Sequence, residues 1–353
     1  MRKILLILVM AGFSSFSFGQ REVVEFIKAG KVDANKLFYA YLQPYAISLG
    51  DGLNNGWFTT AKTHKFLGFD LTVNLSAIQV PSSDRQFDIR KIGLSRTQVP
   101  GSYSLTPTVA GESKSGPLLN YYTEDRLTKL ASFNTPGGTG HSLVPIPMVQ
   151  VGLGTILHTD IVGRYIPKIQ FISKDLPVQV SLYGIGAKND LKIIPFLKHL
   201  PFDMASFGGY THLTVDAALN LQPSDFGSGV TVVDYVPAYD QRISVTTRSL
   251  IYGTILSKKL GPLTFFGSVG KSYSKSRVEA LGKYPAVSLN SNTLTPQITN
   301  KDALYDPVSL YYTNHHMTLN GGLRLKLIFF SVYGSVTQAN YTSYNAGVCI
   351  SVR

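Results

Sequence analysis

The chain has 353 residues, of which 15% are charged, and its formal net charge is +12. Soluble domains carry about 25% charged residues, so this composition is poor in charge, while Tyr, Phe and Gly are plentiful. The single cysteine, Cys349, excludes an intramolecular disulfide framework. Lys and Arg are scattered, which argues against a nucleic-acid partner and favours attraction to anionic lipid phosphates or to an anionic substrate.

The opening segment MRKILLILVMAGFSSFSFGQ has the pattern of a secretory signal peptide. A basic start is followed by an apolar stretch from Ile4 to Phe13, which is too short to span a bilayer as a helix. Ser17 and Gly19 are the small residues expected before a cleavage site. We therefore predict a signal peptide over residues 1–19. The sequence contains no later apolar run long enough to predict a transmembrane helix.

Residues 20–65 differ from the rest of the chain. The segment REVVEFIKAGKVDANKLFYAYL has apolar residues at helical spacing, and Asp33 or Asn35 is suited to cap a helix. The next segment, YAISLGDGLNNGWFTTAKTHK, is rich in Gly and Asn and predicts an irregular loop. We predict that residues 20–65 form a part-helical N-terminal hatch. The hatch residues singled out in this loop are Asn54, Asn55 and the lone tryptophan, Trp57.

Alternating polar and apolar residues dominate from Phe66 onward. In FLGFDLTVNLSAI (66–78) they follow one another with a period of two, as in a strand with one polar and one apolar face. Further extended segments are predicted at 147–154, 158–166, 178–188, 202–221, 241–259, 263–273, 315–329, 330–340 and 341–352. The stretch 79–145 shows only weak strand signals.

Two architectures are compatible with this alternation. In a membrane barrel the apolar faces meet lipid, whereas in a secreted soluble sandwich or barrel they pack inside. The long strands, the alternation of short and long links, and charged residues at strand centres favour the membrane barrel. We predict an all-β fold, a transmembrane antiparallel β-barrel over residues 66–353. It should have an even number of strands, about 12 and within a range of about 10–14, because 79–145 has room for more.

The final residues, Asn345 to Val352, resemble the C-terminal assembly signal of outer-membrane barrels, although a final aromatic residue is missing. Nearly all of the chain after residue 19 resembles an uncharacterised outer-membrane β-barrel family of Bacteroidota. The segments that carry this resemblance are NKLFYAYLQPYAISLGDGLNNGWFTTAKTHKFLGFDLTV, PIPMVQVGLGT with GRYIPKI, GIGAKNDLKIIPFLKHLPFD, and LRLKLIFFSVYGS.

That family is similar in layout to the long-chain fatty-acid transporters of the outer membrane, whose barrel is plugged by an N-terminal hatch. The resemblance implies that residues 20–65 are this hatch. The Asn-Pro-Ala stretch typical of those hatches is absent, and the segment from Gly52 to Trp57 stands in its place. The resemblance therefore informs about the layout and not about the substrate.

Seven polar residues at strand centres are expected to face the lumen: Asp70, Asn74, Arg164, His212, Asp216, Arg324 and Lys326. One interpretation is a polar wall in which Arg324 and Lys326 attract a carboxylate or phosphate. The other is a set of internal salt bridges that hold barrel and hatch together, since a plugged lumen must satisfy its polar groups.

The sequence carries no nucleophile elbow, zinc-protease or Walker motif. His315 and His316 are adjacent, so on a strand they face opposite sides, and a shared metal is not expected. We therefore predict no catalytic residues, no metal and no cofactor.

Two function classes follow from these observations. The first is a passive outer-membrane channel or transporter for a small hydrophobic or amphiphilic molecule, with residues 20–65 as its gate. The second is a scaffold barrel that binds the partners of an envelope complex through the loops 79–145 and 275–311. An outer-membrane enzyme ranks third. The expected location is the outer membrane of a Gram-negative cell, with outer-membrane lipid and a small amphiphilic ligand as the expected partners.

Overall fold

The computed structural model describes residues 25–173, 176–226, 229–237, 240–290 and 292–352. The predicted signal peptide, residues 1–19, and the first residues of the predicted hatch lie outside this description. No helix within these ranges is long and apolar enough to cross a membrane.

Ten antiparallel strands close into a barrel. They are β1 (Phe69–Gln79), β2 (Leu143–Gly154), β3 (Thr159–Ser173), β4 (Leu176–Asp190), β5 (Asp203–Ala218), β6 (Arg242–Leu260), β7 (Leu263–Leu281), β8 (Val308–Leu327), β9 (Phe330–Gln338) and β10 (Thr342–Val352). Each strand pairs with its neighbour in the sequence, and β1 also pairs with β10, from Phe69 opposite Val352 to Gln79 opposite Thr342. The all-β antiparallel barrel is confirmed. The strand count is ten, within the expected range, and the central expectation of about 12 was too high.

The barrel has two unlike ends. At one end, the short-turn end, β2–β3, β6–β7 and β8–β9 are joined by the turns 155–158, 261–262 and 328–329. The link from β4 to β5 also lies there and contains the 3-10 helices Leu191–Ile193 and Pro195–His199. At the other end, the long-loop end, the connections 80–142, 219–241 and 282–307 are long. Short turns at one end and long loops at the other are typical of outer-membrane barrels.

The connection 80–142 explains the difference in strand count. Its strands have two to six residues and form two small sheets outside the barrel, whereas a tilted strand needs about 9–11 residues to cross a bilayer. The strands of this connection are Gln86–Asp88, Thr97–Gln98, Leu105–Pro107, Leu118–Tyr122 and Lys129–Asn134. The other long loops contain Thr231–Val232, Lys283–Tyr284, Val287–Leu289, Pro296–Ile298 and Leu304–Tyr305. Further 3-10 helices are Ser82–Asp84, Ile89–Lys91 and Pro223–Phe226.

One helix, α1 (Gly30–Asn54), lies inside the barrel. It begins among the long loops, where the Asn35 side chain donates to the carbonyl of Pro307, and ends at mid-barrel, where Asn54 contacts Ser272 of β7. The prediction of an irregular loop from Tyr45 onward was wrong for residues 45–54. The helix continues because its apolar side chains pack against the lumen wall, and such packing overrides the low helix propensity of the glycines.

Close packing against the wall requires the small residues of α1. A Cβ atom at Gly52 would collide with the side chains of Ile146 and Ile78, and one at Gly50 would collide with Ser274. Glycines that weaken a helix in isolation therefore let this one approach the strands. The result is a long-loop half of the lumen that is filled by the helix, through apolar contacts together with buried Ser, Thr and Asp side chains.

Candidate functional site in the lumen

The segment that follows α1 turns sharply and buries Trp57. Gly56 adopts a φ of +70°, which favours glycine, and Trp57 is only 3% exposed. Its ring lies against Gly186 of β4 and Gly209 of β5, which face each other in register. A Cβ at either position would come within 2.6 or 2.5 Å of the ring. The Trp57 ring therefore packs in a site, here called the Trp57 seat, that requires glycine at both positions of the wall.

Arg164 of β3 joins the end of α1 to the barrel wall. Its Nη1 and Nη2 atoms donate to the carbonyl oxygens of Leu53 and Asn55, each at 2.7 Å, and its Nε donates to Oε1 of Gln150 at 3.1 Å. The guanidinium also lies 3.6 Å from the centroid of the Trp57 ring. A cation at a helix C-terminus complements the helix dipole and satisfies carbonyls that have no helical partner.

The remaining predicted hatch residues and Asn74 of β1 meet at this same level. Asn54 Nδ2 donates to Ser272 Oγ at 2.5 Å, and the Asn55 carbonyl accepts from Arg164. Asn74 lies on the lumen face of β1, with its Nδ2 3.5 Å from the Gly56 carbonyl. Asp70 also faces inward, with Oδ2 3.4 Å from Nε2 of His64. The structure therefore brings Asn54, Asn55, Trp57, Arg164 and Asn74 into one cluster.

A buried ionic network below this cluster was not predicted from the sequence. His64 Nδ1 and Lys188 Nζ each lie 3.1 Å from Asp160 Oδ2. Lys188 Nζ also donates to the carbonyls of Thr60 and Lys62, at 3.0 and 2.8 Å. The signal available in the sequence was the lone charged residue at the end of the alternating segment VQVSLYGIGAK. The network attaches residues 60–64, the last part of the N-terminal segment, to β3 and β4.

Arg324 and Lys326 of β8 lie on the lumen face at the short-turn end. Arg324 Nε donates to Ser331 Oγ at 3.2 Å, and Lys326 Nζ donates to Ser351 Oγ at 2.9 Å. They border a cavity next to residues 60–64. Their position, away from the Trp57 cluster, separates the predicted lumen residues into two groups.

His212 and Asp216 do not face the lumen, and their expected placement was wrong. On β5, Thr211 and Leu213 are fully buried, and the Thr211 hydroxyl lies 3.4 Å from the Leu53 carbonyl. Alternation then places His212 and Asp216 on the outer face, and the His212 ring stacks on Tyr183, which is 53% exposed. The physical reason is α1, because Leu213 and Val215 of β5 belong to the apolar core formed around this helix.

The long-loop end of α1 has a second attachment point at Asp33. Its carboxylate accepts hydrogen bonds from the backbone N–H groups of Ser95, Arg96 and Thr97 and from two of their hydroxyls, at 2.7–2.8 Å. Burial by itself raises the pKa of this carboxyl group, but the hydrogen bonds outweigh it, so the pKa of Asp33 lies below its ordinary value. Asp33 therefore anchors the connection 80–142 to the helix.

Within the described part of the chain, no three His, Cys, Asp or Glu side chains are grouped so that they could hold a metal ion. Cys349 is buried, with its Sγ 3.8 Å from Nη2 of Arg324. Most hydrogen bonds of this region join residues 53–64 to the barrel wall, and they fix this segment inside the lumen.

Comparison with solved structures gives bacterial outer-membrane proteins at low identity. The outer membrane transporter YddB from Escherichia coli is 11% identical, with 80% of this chain and 41% of that chain covered and a TM-score of 0.31. A Pseudomonas aeruginosa FadL homologue is 10% identical, with 81% and 89% covered and a TM-score of 0.26. Ail, the attachment invasion locus protein of Yersinia pestis, is 5% identical, with 82% and 100% covered and a TM-score of 0.26.

This chain spans about two fifths of the YddB chain, and TM-scores of this size carry no conclusion about function. No curated protein matches the chain. The family model described as "Family of unknown function (DUF6588)" matches residues 1–352, so the chain belongs to that family.

Proposed function

We propose that this protein is an outer-membrane β-barrel that passes a small hydrophobic or amphiphilic molecule, with residues 25–65 as its plug. The outer face supports a lipid environment, because large apolar side chains on it are exposed all around the barrel. They include Val151, Ile161, Ile185, Leu250, Val269, Leu319, Val332 and Val348. A folded sample that is not boiled should migrate differently from a boiled one in a denaturing gel, and recovery as soluble periplasmic protein would contradict the proposal.

The observation that carries the transport proposal is an interruption of the hydrogen-bond ladder between β2 and β3. Hydrogen-bonded pairing between these strands runs only from Gln150, opposite Arg164, to Gly154, opposite Asp160. On its other side, β2 pairs with β1 along almost its whole length. The long-loop half of the β2–β3 seam therefore has no backbone ladder.

Prolines on both strands account for the interruption. The N–H of Gly154 donates to Gly68, on the β1 side. Residues of odd number in β2 therefore direct their N–H positions toward β3. Two of these positions are Pro145 and Pro147, which have no N–H. Three residues beyond the last pair, β3 carries Pro167, which also lacks a donor and lies in the irregular stretch between Ile166 and Ile169.

Behind this seam the lumen is apolar. Met148 and Ile166, the inward neighbours on the two strands, are 0% and 1% exposed and belong to the apolar core around α1. Along this half of the seam, the apolar core around α1 is thus separated from lipid only by two strands that share no ladder. Such a seam provides a sideways exit for a molecule that prefers lipid to water.

The test is to restore the missing donors. In the double variant Pro147→Thr, Pro167→Thr, the ladder can extend, so we expect severalfold slower uptake of a radiolabelled dodecanoate by a deletion strain that carries this variant. The matched control is Pro177→Thr in β4, where the ladder with β3 is already continuous opposite Ile172. Equal uptake by the double variant and the wild type would contradict an exit at this seam. Equal uptake with and without the gene would contradict transport.

A second candidate function is a scaffold barrel that binds partners at its long-loop end. The observation in its favour is a set of exposed apolar side chains on those loops: Tyr103, Leu127, Val233, Val236, Leu294 and Tyr305. Exposed apolar groups mark interaction surfaces when they form a contiguous patch. Cross-linking in whole cells with photoreactive groups at Leu127 and Tyr305 should capture a specific protein if this function holds, and Lys114, an exposed position in connection 80–142, serves as control.

A further inference from the structure

A cavity of about 70 Å³ opens at the short-turn end, between residues 60–64 and the barrel wall. The wall contributes the ends of β6, β8 and β10 and the starts of β5 and β7, and the bordering cations are Lys62, Lys259, Arg324 and Lys326. His64 and Asp203 are the other titratable residues of the lining. A space of this size holds a group of a few heavy atoms.

The carboxylates nearby are already paired. Asp203 lies 3.2 Å from Lys192, and Asp160 and Asp70 are held by His64, with Lys188 also on Asp160. Within the described part of the chain, no carboxylate oxygen lies within 4.0 Å of the cationic nitrogens of Lys62, Lys259 or Arg324. The cavity therefore has a surplus of positive charge.

Among these cations, Arg324 has the geometry best suited to bind an anion. Among the described residues, its guanidinium has neutral acceptors as hydrogen-bond partners: Ser331 Oγ at 3.2 Å, Thr59 Oγ1 at 3.5 Å and Cys349 Sγ at 3.8 Å, of which the last two are long. An arginine fork matches the two oxygens of a carboxylate or phosphate and binds them more strongly than neutral acceptors.

We propose that this cavity binds a carboxylate or phosphate group, with Arg324 as its principal ligand and Lys259 and Lys62 as flanking charges. The proposal deepens the transport function, on which its biological role rests, because it assigns the transported molecule an anionic head. Binding itself is independent of transport.

The experiment is calorimetric titration of the folded full-length protein in a non-ionic detergent with inorganic phosphate, dodecyl phosphate and dodecanol. Binding of inorganic phosphate supports a site for free anions. Binding of dodecyl phosphate but not of inorganic phosphate supports a site for the head of an amphiphile. Absence of binding by both, or equal binding of dodecyl phosphate and neutral dodecanol, overturns the proposal.

Two adjacent lysines supply the matched variants. Lys259 borders the cavity, whereas Lys258 lies one residue away on the opposite face of β6. Lys259→Gln should weaken binding about threefold and Lys258→Gln should not, while Arg324→Gln should weaken it about tenfold through loss of a charge-assisted hydrogen bond. If Arg324→Gln fails to fold, the comparison of Lys259→Gln with Lys258→Gln still tests the site, because both lysines are exposed. Equal affinity of the Lys259→Gln and Lys258→Gln variants for dodecyl phosphate overturns the proposed site. Failure of the transport proposal would show instead as unchanged uptake on deletion of the gene, while the purified protein still binds the anion.

Discussion

The guanidinium of Arg164 lies 3.6 Å from the centroid of the Trp57 ring and donates to two carbonyls at the end of α1. One wall residue thus holds the end of the plug helix and the aromatic anchor that follows it. Trp57 is also the only tryptophan, so its fluorescence reports on this contact without labels.

Arg164→Lys keeps the charge but not the planar fork that serves two carbonyls at once. We expect a loss of about 1.5–3 kcal/mol in the free energy of unfolding, the usual contribution of a hydrogen bond to a charged group, and Trp57 emission at longer wavelength. The unfolding temperature from heat-modifiable gel mobility and the emission spectrum measure both effects. Arg248→Lys, on the exposed outer face of β6, is the control. Behaviour identical to that control would show that Arg164 does not hold the plug.

Gly186→Ala and Gly209→Ala place a methyl group in the seat of Trp57. Each Cβ would lie within 2.6 Å of the ring, and overpacking of this kind costs about 1–3 kcal/mol. We expect a lower unfolding temperature and a more solvent-exposed Trp57 in both variants. Gly163→Ala has no heavy atom within 4 Å of the new Cβ and should behave as wild type. An unchanged emission spectrum in Gly209→Ala would exclude this seat.

Deletion of residues 22–60, with residues 1–21 kept, removes α1 and the Trp57 segment while leaving the ten strands intact. Because the strands pair with one another around a closed barrel, we expect the shortened protein to insert and to conduct ions better in planar bilayers. The full-length protein is the reference, and heat-modifiable mobility shows that the deletion variant has folded. Unchanged conductance in a folded deletion variant would place the plug outside the conduction path.

Asp33 should make the attachment of connection 80–142 dependent on pH. Its pKa is depressed in the folded protein, so the stabilisation is present above the unfolded value of about 3.9 and is lost as pH falls through the lower folded value. Hydrogen exchange of residues 95–97, corrected for intrinsic rates, should show protection at pH 6 that disappears at strongly acidic pH.

Asp33→Asn should lack this protection at both pH values, because a neutral amide accepts the three N–H donors poorly. Asp125→Asn, in an exposed turn of the same connection, serves as control and should keep the wild-type profile. Full protection in Asp33→Asn at pH 6 would show that other contacts anchor this connection.

The sequence by itself determined where the strands lie and, in the short-turn half of β1, which side chains face the lumen. In β1 the alternation of Asp70 and Asn74 with apolar residues depends only on the two-residue period of an extended chain, and both residues lie on the inner face. The same local rule gave the all-β antiparallel barrel. It also gave an upper bound on strand number, since 79–145 had the length for more strands but not the pattern.

Only the tertiary structure decided what fills the lumen, and with it which face of β5 points inward. The glycines and asparagines of residues 45–54 predict a loop when read locally. They form the end of α1 because the helix packs closely against Ile78 and Ile146 of the wall. Once an apolar helix occupies the lumen, Leu213 belongs inside and His212 outside. Alternation fixes that two faces differ, whereas the direction each face takes depends on what lies on the other side of the wall.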